Sequence, residues 1–306
     1  MDTNEIEEIV VNLKKAMEGF GTDNNALINI VTTHTIIERQ KIKMVYQKKY
    51  KNDLIQDLKD ELSSNYESAM IALFTNPIEY DAQQLHTILA KSSPNLEFLI
   101  EIIVTKPNWV LKQIKDTYKK LYQKEIEEDF NELKEEENIL LTSLLKCQRN
   151  ENDKPDNAEC SNKAKELSIS DINSWKNTNS LFMNLITDSS PMELALIVRY
   201  YFKLTGKTIK QTINEVFEGE MKQLYNQVLY ALISPSEFYA TRIKKAIEGF
   251  GTDDVTLIRI LVSRDEIDMD VIKQFYKQLY KKDLIDDIIS DCSGNYEKLL
   301  VALVDH

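Results

Sequence analysis

Turn-forming residues are scarce: 7 Gly and 6 Pro are spread over 306 residues, too few for a hairpin-rich all-β chain or for a collagen-like or Pro/Gly-rich disordered one. Cysteine is scarcer still. Cys147, Cys160 and Cys292 are odd in number and lack the spacing of metal ligands, which argues against a disulfide scaffold and for a reducing, intracellular compartment. Positive charge is also short, with 38 Lys plus Arg against 50 Asp plus Glu and a net charge of -12. Such a chain has no basic field for a phosphate backbone, so nucleic acid is not an expected partner. The same deficit repels anionic lipid unless a cation bridges the two. No stretch approaches the roughly 18 apolar residues of a membrane span, and the N-terminus Met1–Glu5 has neither a secretory apolar core nor a myristoylation glycine. Membrane contact is therefore expected to be peripheral, from the cytoplasmic side. The first helix is expected by about Glu5, with no N-terminal regulatory extension before it.

What is abundant is Leu, Ile, Lys, Glu and Gln, the helix formers, so the expected fold class is all-α. Self-comparison then gives the organisation. Shifted by 230 positions, Lys14–Leu73 aligns with Lys244–Leu303 without a gap, and about 28 of 60 pairs are identical. AMEGFGTD (Ala16–Asp23) returns as AIEGFGTD (Ala246–Asp253), and SSNYE (Ser63–Glu67) as SGNYE (Ser293–Glu297). Two weaker copies fill the middle, giving expected repeats over 1–76, 77–150, 151–234 and 235–306. The apolar spacing within each is helical: Ile6, Ile9, Val10, Leu13 and Met17 form one stripe, and Ile267, Val271, Phe275, Tyr276 and Leu279 are expected to form another. Five short helices per repeat are expected, with Thr22 or Asp23, and Thr252 or Asp253, as N-caps. The polar stretch Gln148–Lys165 is the expected linker.

Four of the seven glycines lie in two tripeptides, Gly19-Phe20-Gly21 and Gly249-Phe250-Gly251, each between two expected helices. Glycine permits a backbone path that turns several carbonyls to one side, a ligand set for a hard cation. The missing negative charge stands forty residues beyond each second glycine, as Glu61 and Asp291 near the end of the fourth helix of the repeat. If the helices form a compact bundle, each acid returns to its loop. Carbonyls of Met17, Gly19 and Gly21 with Glu61, and of Ile247, Gly249 and Gly251 with Asp291, then offer about five oxygens to a Ca²⁺ that takes six to eight. Lipid phosphate can fill the remainder, with Phe20 and Phe250 at the loop tips as candidate membrane contacts; inward packing is their alternative.

These residues resemble the annexin family, whose motif G-x-G-T-D followed about 38 to 40 residues later by Asp or Glu is whole in the first and fourth repeats. The resemblance covers nearly the entire chain. It implies a slightly curved disc of four five-helix repeats with the first and fourth adjacent, and reversible, calcium-dependent binding to anionic phospholipid by a monomer in solution. It also implies a secondary metal site near the same loop, for which Thr252 with Asp254 is the candidate pair, whereas Thr22 is followed by Asn24. Two departures stand out. Glu18 and Glu248 replace the lysine usual before the first loop glycine, which removes a cation beside the lipid. The second and third repeats have lost both glycines, aligning Lys91–Asn95 and Asn173–Asn177 with the loop and placing Leu133 and Val216 at the acid position. Neither is expected to bind Ca²⁺ in the family's manner.

Trp175, in the polar loop of the third repeat, is a candidate membrane contact, with burial as the competing reading. The carboxylate-rich run Glu125–Glu137 reads as a solvated helix face, and His34, His86 and His306 lack a neighbouring nucleophile. A binding protein rather than an enzyme is expected. The alternative use of such a fold is as a cytoskeletal or scaffolding protein engaging mainly other proteins.

Overall fold

The computed structural model describes residues 3–19, 21–249 and 251–305. Its helices run, in chain order, α1 (Thr3–Met17), α2 (Asn24–Thr32), α3 (Ile36–Tyr50), α4 (Leu54–Glu61), α5 (Ser64–Phe74), α6 (Pro77–Leu89), α7 (Leu96–Ile103), α8 (Asn108–Tyr122) and α9 (Glu135–Leu144). They continue as α10 (Asn157–Ile169), α11 (Leu181–Asp188), α12 (Pro191–Thr205), α13 (Ile209–Val216), α14 (Gly219–Ile233), α15 (Pro235–Ile247), α16 (Asp254–Arg264), α17 (Met269–Tyr280), α18 (Leu284–Asp291) and α19 (Gly294–Val304). Two 3₁₀ helices cover Ile126–Glu132 and Ile172–Lys176, and no strand occurs among the described residues.

The chain forms two compact units, residues 1–80 with 236–306, and residues 81–235. The first unit joins the two strongly similar ends of the sequence. There α16 packs on α5, and α19 on α2 and α5. Ile6, Val10, Leu13 and Met17 of α1 are buried as their spacing predicts. Across the seam between the two ends, the Arg39 guanidinium, 1% exposed, pairs with Glu266 at 3.0 Å and donates to the Val31 carbonyl at 2.8 Å. Glu266 also accepts the Ile36 backbone N–H at 2.6 Å, capping the start of α3.

In the second unit α10 lies along α12 and α7 packs on α14. Helix starts follow sequence chemistry here as elsewhere: Ser190 and Glu193 close a capping box before Pro191, and Thr208 with Gln211 does the same for α13. The expected linker is shorter than predicted. Asp156 caps α10 by accepting the N–H groups of Ala158 and Glu159, so 157–165 is helix, and the whole stretch lies inside the second unit.

Two further expectations are corrected. Of the expected stripe, Tyr276 is buried and Phe275 half-buried, but Ile267, Val271 and Leu279 are exposed, Ile267 by 63%. The buried positions of α17 are Met269, Ile272 and Tyr276, at i, i+3 and i+7, so the core face keeps Tyr276 but turns toward Met269 and Ile272. Glu125–Glu137 is not one solvated helix. It divides between a 3₁₀ turn and α9; Glu128, Glu132, Glu135 and Glu136 are exposed as expected, while Glu127 pairs with Lys115 at 2.5 Å, Glu125 with Lys119 at 2.5 Å, and Asp129 with Lys124 and the Tyr118 hydroxyl.

Candidate calcium loops

Each glycine tripeptide joins two helices through a path that only glycine follows without strain. Gly19 and Gly21 have φ of +112° and +95°, Gly249 and Gly251 of +136° and +96°. The loop is closed at its base by one backbone hydrogen bond in each copy, Asp23 N–H to the Ala16 carbonyl and Asp253 N–H to the Ala246 carbonyl, both 2.8 Å. The same aspartates then cap the next helix, accepting from Ala26 at 3.0 Å and from Thr256 at 3.1 Å, so the N-caps are Asp23 and Asp253 rather than the threonines. That frees the threonine hydroxyls for another partner. Thr22 Oγ1 donates to Glu61 Oε2 at 3.3 Å and Thr252 Oγ1 to Asp291 Oδ2 at 2.5 Å. The distant acid and the glycine loop are thus brought together in both copies. Among the described residues no loop or turn hydrogen bond ends on the carbonyls of Met17, Gly19, Gly21, Ile247, Gly249 or Gly251.

What carries the acid back is a second cluster beneath the loop, which sequence reasoning missed. Asp57 stands one turn before Glu61 on α4, and Asp287 one turn before Asp291 on α18, so each pair shares a helix face. Asp57 accepts from Lys14 of α1 at 3.2 Å and Tyr46 of α3 at 2.5 Å. Asp287 accepts from Lys244 at 3.0 Å, Tyr276 at 2.6 Å and Lys282 at 3.0 Å. The lysine belongs to the helix that enters the loop, so one carboxylate ties helix four to helix one while the next turn presents its acid to the loop. The signal was available: Lys14, Tyr46 and Asp57 are each identical to the residue 230 positions on. In the second repeat the same arrangement recurs with His86 in place of the lysine, its Nδ1 3.1 Å from Tyr118 Oη and 3.7 Å from Asp129, and its ring stacked on Tyr122.

Burial alone would raise the Asp287 carboxyl, but hydrogen bonds from Tyr276, Lys282 and Lys244, with the Lys244 charge, outweigh it and hold the group down at about 2 against an ordinary 3.8. A carboxyl lowered by folding contributes stability above its unfolded pKa and loses it as pH falls through the folded value. The window is therefore about pH 4 to 2, and the contribution roughly 2 kcal/mol. In urea titrations across that window, wild type is expected to lose about this much more stability than Asp287→Asn; parallel curves would refute the assignment.

The same lysines also hold the two unusual loop glutamates, Lys14 to Glu18 at 3.6 Å and Lys244 to Glu248 at 3.2 Å. Among the described residues no group of three or more His, Cys, Asp or Glu side chains is gathered. The donor chemistry of the loops is thus backbone oxygen plus one carboxylate, which fits hard Ca²⁺ and offers no thiolate or imidazole to a softer metal. Of the secondary pair, Thr252 is engaged by Asp291, and Asp254 opens α16 with its charge near the buried Tyr296 phenol, whose pKa burial and that charge raise. Burial, with the charges of Asp291, Asp254 and Glu297, pushes the Cys292 thiol up to about 11, which makes it a poor nucleophile. Phe20 and Phe250 lie outside the described residues.

The assignment of Trp175 as a membrane contact is corrected. Its indole is 1% exposed, stacks on Phe182 at 4.4 Å and 12°, and donates from Nε1 to Ser170 Oγ at 3.3 Å. The 3₁₀ turn Ile172–Lys176 aims it inward. In the degenerate loops, Asn95 serves as the cap of α7, and Glu215, beside the vacated acid position, pairs with Lys207 at 2.9 Å. No described helix is long and apolar enough to cross a membrane.

The family model described as "Annexin" matches residues 10–73, 80–134 and 238–303. Annexin A13 of Mus musculus is 35% identical over 294 residues, spanning 95% of this chain and 92% of that protein. Annexin B10 of Drosophila melanogaster is 34% identical over 295 residues, with the same coverage. Among solved structures, annexin III superimposes with a TM-score of 0.93 at 31% identity, over 98% of this chain and 94% of that one. A calcium-bound annexin (Sm)1 does so with a TM-score of 0.87 at 27% identity, over 100% and 92%.

Proposed function

The chain belongs to the annexin family, whose members bind phospholipid in a calcium-dependent manner, and from that premise we propose that its own calcium-dependent contact with anionic membranes is made by the loops after α1 and α15. Met17, Gly19 and Gly21 carbonyls with the Glu61 carboxylate, and Ile247, Gly249 and Gly251 carbonyls with Asp291, would hold the ions. Bound Ca²⁺ supplies the positive charge that an acidic protein lacks toward an acidic bilayer. The protein's residues do the rest. The glycines set the carbonyl path, Lys14 with Asp57 and Lys244 with Asp287 fix the helix that carries each acid, and Thr22 and Thr252 hold that acid at the loop. Thr252 and Asp254 remain the candidate secondary pair, and Phe20 and Phe250 the loop-tip membrane contacts. Both loops belong to one compact unit, so that unit is assigned the calcium-dependent contact.

The observation that carries this reading is the threonine–acid hydrogen bond spanning 39 residues in both copies. It joins the positive-φ glycine loop to the one charged oxygen donor the ion needs. Pairing of Glu18 and Glu248 with lysines of their own helices moderates the charge these loops present to lipid. The annexin fold is a binding fold, and no catalytic role is assigned. Sedimentation with phosphatidylserine vesicles tests the reading. Pelleting is expected with Ca²⁺ and expected to reverse on chelation, and equal pelleting in chelator would refute the bridge.

A further inference from the structure

The corner that joins the glycine loop to its acid in the first unit takes a different form in the third repeat. There the loop after α10 has no glycine, the acid position is Val216, and it is buried. Between that loop and the α13–α14 turn the structure opens a cavity of about 240 Å³, closed on a further side by α9. Its floor is aromatic. Phe217 and Tyr225 are buried with ring centroids 4.5 Å apart, and the Tyr225 hydroxyl has the Met183 sulfur, a weak acceptor, at 3.6 Å. Its rim is charged and exposed: Lys176 and Thr178 come from the loop, Glu218 from the α13–α14 turn and Glu136 from α9. No ion pair engages Glu136, Glu218 or Lys176 among the described residues. Burial, joined by the Glu136 charge, raises the Tyr225 phenol to about 12, so that carboxylate lies close to the aromatic floor.

This combination selects a ligand class. A plain anion would meet two carboxylates, and a divalent cation would find neither the glycine path nor the acid at its end. A drug-sized apolar molecule needs about 300 Å³ or more and would leave the rim charges unused. An organic ammonium has both what it needs, aromatic faces and carboxylates. The lysine and the threonine hydroxyl beside them suit a phosphate.

We propose that this cavity is a calcium-independent site for a phospho-ammonium zwitterion, with phosphocholine as the type ligand. The ammonium sits against Phe217 and Tyr225 between Glu136 and Glu218, and the phosphate meets Lys176 and Thr178. The site belongs to the second unit and the calcium loops to the first, and its test is run in chelator so that the two succeed or fail separately.

Calorimetric titration of the full chain with phosphocholine in EDTA is expected to show saturable one-to-one binding, with choline weaker and inorganic phosphate silent. Glu136→Gln with Glu218→Gln is expected to weaken phosphocholine by about tenfold, and Lys176→Met to reduce it to the level of choline. Both variants alter exposed rim residues, and both should keep calcium-dependent pelleting on phosphatidylserine vesicles. Phosphatidylcholine vesicles in EDTA distinguish the source: pelleting competed by soluble phosphocholine identifies a lipid headgroup, and binding of the soluble compound without pelleting identifies the free zwitterion. Absence of saturation in wild type, inorganic phosphate binding as well as phosphocholine, or an unchanged affinity in the double glutamate variant would each overturn the proposal.

Discussion

Glu61→Gln with Asp291→Asn is expected to abolish calcium-dependent pelleting with phosphatidylserine vesicles while leaving helical content and calcium-free stability unchanged. Each amide keeps the size of the acid and a carbonyl oxygen able to accept from Thr22 or Thr252, so the loop closure survives. What it loses is the negative charge, in a ligand set otherwise made of neutral carbonyls. Losing a partner that only orients a metal ligand costs 10–100-fold in affinity, so removing the one charged ligand should cost at least about 100-fold per site. Calcium-free stability is insulated because the carboxylates that tie α4 and α18 to their bundles are Asp57 and Asp287, which the variant leaves intact. Both acids are exposed, so no buried charge is gained or lost. Each single variant should fall between wild type and the double, since the copies repeat one geometry. Calcium-dependent pelleting retained by the double variant would mean that other residues hold the ion.

The sequence made the outer loops legible because their chemistry is local and duplicated. A glycine pair at positive φ, an aspartate cap and an acid at fixed distance are each written in a few residues, and the 230-residue offset repeats them. The supporting cluster was equally written, since Lys14, Tyr46 and Asp57 all recur, but its meaning depends on three helices meeting. Spacing along one helix does not report that. The face of α17 shows the limit from another side. Ile267, Val271, Phe275, Tyr276 and Leu279 read as one apolar stripe, yet of these the core takes only Tyr276, with Met269 and Ile272, because the helix's neighbours and not its own pattern choose between two plausible faces. The edges of the second compact unit lie close to the expected repeat boundaries, but nothing in the sequence marked the two middle repeats as one unit. The most polar stretch lies within it, and its boundaries fall at the starts of α6 and α15, where the composition does not change.

Trp175→Ala is expected to destabilise the second unit by about 3–5 kcal/mol, the usual cost of emptying a packed aromatic site. The indole is the end of a continuous aromatic stack: it lies flat on Phe182, whose ring meets Phe217 at 5.9 Å and Tyr225 at 5.2 Å, and Tyr201 borders it at 6.0 Å. Its backbone is tied as well, since the Trp175 carbonyl accepts from Ser180 Oγ at 3.2 Å and the same hydroxyl accepts the Met183 N–H at 3.1 Å. Chemical denaturation should show the loss as an earlier transition, and a change below about 1 kcal/mol would contradict the packing described. The same burial makes a second measurement decisive. Trp109 is 62% exposed, so Trp109→Phe removes the competing fluorophore at little cost and leaves Trp175 to report alone. Insertion into a bilayer would first require the indole to leave Phe182 and give up the Ser170 hydrogen bond, a cost of the same few kcal/mol that interfacial burial of one side chain would have to repay. The expected result is therefore a blue emission that neither Ca²⁺ with vesicles nor a lipid-borne quencher alters. Quenching from within the bilayer would show that the loop unfolds on the membrane and would restore Trp175 as a contact.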